Sequence, residues 1–274
     1  MLTSSNIHII GASGFIPHAL KNRKLFSNST FWGTSSTSNY FDLFDPLSWD
    51  SFFSKSPTHV IFLSWPFLPQ YYSTSHLLKT LPAAIAFFSQ LYSYQIEKLI
   101  CLGTCYEYGL LTGHLKESFT VNPLIPYAQA KYLLSQYLLM LYRDQPNVLS
   151  WLRVFYLYGE GQRKQSLLPS LMQHAKDGKR VFSVSTADRI RDFISISSLI
   201  DIIECLIQDP TSSGIYNCGS GIPQSIRTFA QNFIDKNNLD LILKEDSNLI
   251  RSDESYASWA DISRLEKYEL DLSQ

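Results

Sequence analysis

Ile7-His8-Ile9-Ile10-Gly11-Ala12-Ser13-Gly14-Phe15-Ile16-Pro17 is the stretch on which the fold reading turns. A short apolar strand runs into a turn carrying two glycines and then into a helix start. That order lets backbone N–H groups and a helix N-terminus receive a pyrophosphate. Gly11 and Gly14 permit the tight turn and the close approach of a phosphate. Pro17 stands where a third glycine usually falls. Proline in a first helical turn removes only an N–H that has no partner anyway, so a helix can still begin there. An ordinary strand-to-helix turn has the same local signature, and the rest of the chain must decide.

Working outward, Ser29 to Gly33 reads as a second strand, ending about 20 residues beyond Gly14, where an acidic residue commonly holds a cofactor's free ribose 2′-hydroxyl. Here Gly33-Thr34-Ser35-Ser36 follows instead. With no carboxylate to repel a 2′-phosphate, and with hydroxyls able to donate to it, NADP(H) is favoured and NAD(H) stays possible. Asp42-Leu43-Phe44-Asp45-Pro46 reads as a strand end feeding a helix through Trp49. Thr58–Ser64 and Lys98–Leu102 read as strands on either side of a helix over Ser75–Tyr94. A helix from Pro126 to Leu141 and a strand over Val148–Val154 follow. Strands alternating with helices predict a parallel sheet covered on both faces. Beyond it Leu167–Ala175 reads helical, Arg180–Val184 extended and Ser198–Gln208 helical, while the tail from Ser258 to Gln274 is expected to be partly disordered. The expected division is a dinucleotide-binding unit with the catalytic residues at 1–160 and a mostly substrate-binding lobe at 161–274, with segments returning to the first core.

Composition narrows the classes. The net charge of -1 gives no basic footprint for nucleic acid or an anionic membrane surface, and 45% apolar with 17% charged residues is a globular balance. The longest apolar runs, near Val60–Leu68 and Leu81–Phe88, are too short or interrupted to span a bilayer. The N-terminus lacks a positively charged leader pattern. Cys101, Cys105, Cys205 and Cys218 have neither paired spacing nor disulfide-framework density, so reduced thiols in a cytoplasmic protein are expected. The six histidines form no ligand cluster, and no metal site is expected.

Within this frame, Pro126-Tyr127-Ala128-Gln129-Ala130-Lys131 is the stretch that carries chemistry. Tyrosine and lysine four apart share a helix face. A phenol ordinarily titrates near pH 10, and a neighbouring cation lowers that value, so the pair can exchange a proton with a substrate oxygen. Tyr94 and Lys98 repeat the spacing. Ligands of parallel sheets bind beyond the carboxyl ends of the strands. Tyr94 precedes its strand and belongs at the opposite edge; Thr104 follows a strand end and belongs with Tyr127 and Lys131.

Taken together, GASGFI at 11–16, Asp42-Leu43, FLS at 62–64, LGTCYEYG at 102–109, PYAQAK at 126–131, LRVFYLYGEG at 152–161, RDF at 191–193 and YNCGSG at 216–221 resemble the extended short-chain dehydrogenase/reductase family of nucleotide-sugar epimerases, dehydratases and ketoreductases. The resemblance implies a Rossmann-type doubly wound parallel sheet with a smaller C-terminal substrate lobe. It also implies roles: Thr104 as hydroxyl partner, Tyr127 as acid/base, and Lys131 as the residue that holds the nicotinamide ribose and lowers the phenol pKa. Gly11, Ser13, Gly14, Phe15 and Ile16 are expected at the pyrophosphate, Thr34 and Ser35 at the adenosine ribose, Asp42 and Leu43 near the adenine, and Leu63 and Ser64 on the path to the nicotinamide. Tyr156, Leu168, Arg191 and Asn217 correspond to the nucleotide-sugar pocket, with Arg191 the expected partner of the substrate diphosphate.

Dehydratases of the family resemble one another in placing Asp-Glu directly after the threonine. Cys105 and Tyr106 stand there, so dehydration is disfavoured. Two enzyme readings remain: NADPH-dependent reduction of a nucleotide-linked 4-keto-6-deoxyhexose, which is favoured, and NAD-dependent C4 epimerisation of a nucleotide sugar. A non-catalytic dinucleotide-binding regulator is a third reading, disfavoured by the intact Thr104-Tyr127-Lys131 set. Relatives often pair through two helices, which the apolar helices at 75–94 and 126–143 would suit, although burial in the core explains them equally well.

Overall fold

A computed structural model of the chain describes residues 6–36, 38–184, 188–249 and 253–272. The β-branched Ile7, Ile9 and Ile10, with the buried His8 between them, make β1 (Ile7–Ile10), and Gly14 caps α1 (Phe15–Lys21), which starts despite Pro17. The chain continues through β2 (Thr30–Trp32), α2 (Trp49–Phe53), β3 (His59–Phe62), α3 (Leu81–Tyr92), β4 (Lys98–Thr104), β5 (Gly113–Leu115), α4 (Pro126–Leu141), β6 (Leu149–Val154) and β7 (Tyr156–Tyr158). Next come α5 (Leu167–Lys176), β8 (Val181–Val184), β9 (Ile190–Ser195), α6 (Ile196–Gln208), β10 (Gly214–Cys218), β11 (Pro223–Ser225), α7 (Ile226–Lys236), β12 (Ile242–Glu245) and β13 (Ser258–Ala260).

Six strands form one parallel sheet in the order β2-β1-β3-β4-β6-β10. Successive side chains of a strand point to opposite faces. Ile10, Val60, Phe62, Leu99 and Cys101 therefore pack with α2, α3 and α4, while Ile9, Ile61, Ile100 and Leu152 pack with α1 and α6. The sequence order reverses between β1 and β3, which is where an open sheet of this kind leaves a crevice beyond its strand ends. Among the described residues three small sheets, β11-β9-β7, β12-β8 and β13-β5, stand apart from the main sheet.

Three expectations are corrected. The strand end expected at Asp42–Pro46 is a loop: the Asp42 carboxylate accepts the Phe44 N–H at 2.9 Å, and Asp45 caps a 3₁₀ turn at Pro46–Ser48 that leads into α2. The helix expected from Ser75 begins as a π-helical turn, His76–Thr80, before α3. Pro82 at the second position of α3 has no N–H to extend the α-pattern backwards. The tail is ordered rather than partly disordered through the described residues: β13 pairs with β5, and Leu265 and Leu272 are buried against the α6 side of the sheet. Ser273 and Gln274 lie outside the described residues. Among the described residues no helix is long and apolar enough to cross a membrane.

Candidate active site

A cavity of about 860 Å³ opens at the strand carboxyl ends, over the β1/β3 reversal. Its floor is the glycine turn. Gly11 has φ +109°, and a Cβ there would meet Ser64 N at 2.9 Å and the Leu63 carbonyl carbon at 3.0 Å. Only glycine keeps this cradle open. Ser13, Gly14, Phe15, Ile16, Thr34, Asp42, Leu43, Leu63 and Ser64 all border the cavity. Ser35 does not; it is exposed beside the cavity wall. A dinucleotide fits the surface these residues form, since its phosphates need an uncrowded backbone and its rings an apolar wall.

Thr104, Tyr127 and Lys131 converge on the same cavity, all nearly buried. Thr104 ends β4 and caps a 3₁₀ turn at Cys105–Tyr108. Its backbone N–H donates to Glu107 Oε1 at 3.0 Å and its Oγ1 accepts the Tyr106 N–H at 3.3 Å. Glu107 is itself fixed by Trp151 Nε1 at 3.0 Å and Arg153 Nε at 2.9 Å. Lys131, one turn after Tyr127 on α4, donates from Nζ to the Leu102 carbonyl at 2.6 Å.

The expected lowering of the phenol by the lysine is not met in this structure. Burial, and next the Tyr71 phenol, push Tyr127 upward, and the Lys131 ammonium is turned to a carbonyl and to the face of Trp65, 3.8 Å from its centroid. Desolvation brings Lys131 down to about 7. Tyr127 is therefore a protonated phenol at neutral pH, the form that can give a proton away.

Tyr156 and Leu168 border the cavity; Arg191 and Asn217 do not. Arg191 is fully buried, its guanidinium bonded to Glu254 Oε2 at 3.0 Å and to the carbonyls of Ile190, Ser255 and Tyr256. It clamps the loop at 254–256 and lies outside the cavity lining. Asp192 next to it accepts N–H groups of Ser220, Gly221 and Ala260, so this motif is largely structural. Asn217 is likewise buried, accepting from the Tyr108 phenol at 2.7 Å and donating to the Leu115 carbonyl at 2.8 Å. The rejected pair is confirmed as remote: Tyr94 stacks on Phe53 at 4.4 Å, and Lys98 is buried at the start of β4 on the carbonyls of Asn147 and Ser212.

The cavity also holds residues that the sequence reading passes over. Arg163, in the loop before α5, borders it with an exposed guanidinium that has no protein partner among the described residues. Phe193 and Phe229 stack at 3.7 Å on the same side. Trp65, Tyr71 and Tyr106 line the wall around Tyr127. A lone arginine between a Gly-Glu-Gly turn and a helix was the available signal for Arg163; the aromatic residues carry no spacing that sets them apart from core.

The sheet order, the glycine cradle at its reversal and the phenol–lysine pair define a Rossmann-type dinucleotide-binding protein. The match of residues 7–219 to the NAD dependent epimerase/dehydratase family places the chain in that family. Over 166 residues, 60% of this chain and 61% of the relative, it is 31% identical to a dTDP-6-deoxy-L-talose 4-dehydrogenase (NAD(+)) of Aggregatibacter actinomycetemcomitans. Over 150 residues, 53% of this chain and 47% of the relative, it is 29% identical to the dTDP-4-dehydro-6-deoxyglucose reductase of Escherichia coli. These matches cover less than two thirds of either relative. The fold superposes on a UDP-N-acetylglucosamine 4-epimerase from Methanobrevibacter ruminantium with TM-score 0.81 at 21% identity, covering 97% of this chain and 92% of that one.

Proposed function

We propose that the protein is an NADPH-dependent reductase of a nucleotide-linked 4-keto-6-deoxyhexose. The observation that carries this reading is the meeting of the Thr104 hydroxyl, the Tyr127 phenol and the Lys131 ammonium on one cavity whose floor is the Gly11 cradle. The two curated relatives, one a 4-dehydrogenase and one a 4-keto-sugar reductase by name, support oxidation-state change at a sugar carbon.

A nicotinamide dinucleotide, when bound, supplies the hydride for the ketone carbon. The chain does the rest. Tyr127 Oη donates its proton to the ketone oxygen as the C–H bond forms, and the Thr104 hydroxyl hydrogen-bonds that oxygen. A phenol kept protonated by burial suits this direction of reaction. Lys131, on the side of the phenol toward β4, holds the ribose hydroxyls. Thr34 at the end of β2 accommodates a 2′-phosphate where a carboxylate would repel it. Arg163 takes the substrate diphosphate in place of the expected Arg191, with a forked, always charged guanidinium suited to such oxygens. The Phe193–Phe229 stack offers a flat apolar wall to a base. Residues 1–160 serve mainly the cofactor and 161–274 mainly the substrate, with β10 returned to the main sheet.

The test is turnover of 4-keto-6-deoxyhexose nucleotides with NADPH by the wild type and Tyr127→Phe. Loss of an acid/base group lowers kcat by roughly 10²–10⁴-fold, with NADPH binding unchanged. A fully active variant overturns the reading, and NAD retained through purification with interconversion of C4 epimers replaces it by the epimerase.

A further inference from the structure

The Tyr127–Lys131 pair is held by a second layer that no motif announces. Trp65, three residues beyond the end of β3, is 8% exposed and lies with its ring face under the Lys131 ammonium. Its Nε1–H donates to His76 Nδ1 at 3.2 Å, and His76 Nε2 bonds the Gln70 carbonyl at 2.9 Å. An indole N–H can only donate, so His76 Nδ1 must be the acceptor and Nε2 must carry the proton. That tautomer satisfies both bonds at once.

The same residues wall in the phenol. Trp65, Tyr71 and His76 stand edge-on to the Tyr127 ring at centroid distances of 6.2, 5.4 and 5.4 Å, and the Tyr71 carbonyl accepts the Tyr127 N–H at 3.1 Å. His76 opens the π-helical turn His76–Thr80. A π-turn widens a helix by one residue and is frequent at functional sites; here it faces a fully buried imidazole toward the indole. An ammonium over a desolvated aromatic face is attracted to its quadrupole. The Leu102 carbonyl and the Trp65 face together fix where Nζ sits.

We propose that Trp65, locked by His76, is a positioning residue for the Tyr127–Lys131 pair: its face is the seat of the Lys131 ammonium and its edge is one wall of the slot that holds the phenol. The role rests on the reading of Tyr127 and Lys131 as the reacting pair. It acts through that pair, so removing the ring affects the chemical step more than substrate capture.

Four variants and one cycle test it. Trp65→Leu, which keeps apolar volume and removes the ring face, lowers kcat by about tenfold while the KM values for sugar nucleotide and NADPH move less than about threefold. Trp65→Phe, which restores a face, recovers most of that loss. His76→Leu lowers kcat by about fivefold, and His76→Gln, whose amide can accept from Trp65 and donate to Gln70, restores it. Unchanged kcat in a folded Trp65→Leu, or a loss confined to KM, overturns the proposal. A urea-unfolding double-mutant cycle of Trp65→Leu with Lys131→Met needs no turnover. The two changes are expected to be non-additive by about tenfold in the unfolding equilibrium constant, and additivity overturns the seat. A fully active Tyr127→Phe with a non-additive cycle would refute the catalytic reading while leaving the seat in place, so the two failures are distinguishable.

Discussion

Glu107 Oε1 receives the backbone N–H of Thr104 at 3.0 Å, while its other oxygen, Oε2, receives Arg153 Nε at 2.9 Å. The carboxylate that sets the threonine at the end of β4 is thus the buried counter-ion of an arginine on the neighbouring β6. Gly103 makes room for this: a Cβ there would collide with Trp151 Nε1 and Glu107 Oε1.

Removing one member of a buried pair strands the other charge. Glu107→Gln keeps an acceptor for Thr104 and leaves the Arg153 cation unpaired, so it should cost about 3–5 kcal/mol of stability. Adding Arg153→Met removes the stranded charge and should recover much of that loss. Urea denaturation of the wild type and both variants checks it; a double variant no more stable than Glu107→Gln would contradict the pairing as the source.

The Gly11 cradle makes a separate prediction about binding. Gly11→Ala places a Cβ against the backbone of Leu63 and Ser64, at a φ that alanine tolerates poorly. Backbone cannot swing aside as a long side chain would. NADPH affinity should fall at least about tenfold, a loss near 1.4 kcal/mol, as measured by fluorescence titration. Unchanged affinity would show that the dinucleotide does not use this turn.

How much of this was legible before the structure follows from the range of each signal. The β1 turn, the Tyr127–Lys131 spacing and Thr104 after its strand are local patterns in periodic elements, and they land where expected. Arg191 lies outside the cavity, and this was not legible because residue type says nothing about occupancy: its partner Glu254 comes from a distant loop. Trp65 was invisible because an indole on a loop reads as core until His76 and Lys131 are folded against it. Three-residue strands such as β5, β7 and β13 are shorter than the window over which alternation can be recognised.

The two arginines can be told apart by which parameter their loss changes. Arg163→Ala removes a free guanidinium at the cavity and should raise KM for the nucleotide sugar by about 10–100-fold, the worth of a hydrogen bond to a charged group, with little effect on the melting temperature. Arg191→Met removes one donor each from Glu254 Oε2 and the carbonyls of Ile190, Ser255 and Tyr256 and should lower stability instead. Steady-state kinetics paired with thermal melts decide it. A large KM effect confined to Arg191 would return the diphosphate to that residue.

A stability profile against pH follows from His8. Its Nδ1 accepts Trp32 Nε1–H at 2.8 Å and its Nε2 bonds Asn6 Oδ1 at 2.8 Å, inside an aromatic cluster with Phe52. Burial first, and then the Lys55 charge, bring its pKa down from 6.5 to about 4. The unfolded chain therefore binds a proton that the folded chain refuses. His8 contributes its full stability above about pH 6.5 and loses it as the pH falls through about 4, with a slope of at most about 1.4 kcal/mol per pH unit. His59 and His76 are lowered in the same direction by burial and add to the slope. His8→Gln can still accept the Trp32 N–H but has no proton to gain, so urea midpoints at pH 5 and pH 7 should differ less in the variant than in the wild type. Equal differences would mean that His8 is already protonated in the fold, and the Trp32 bond as described could not exist.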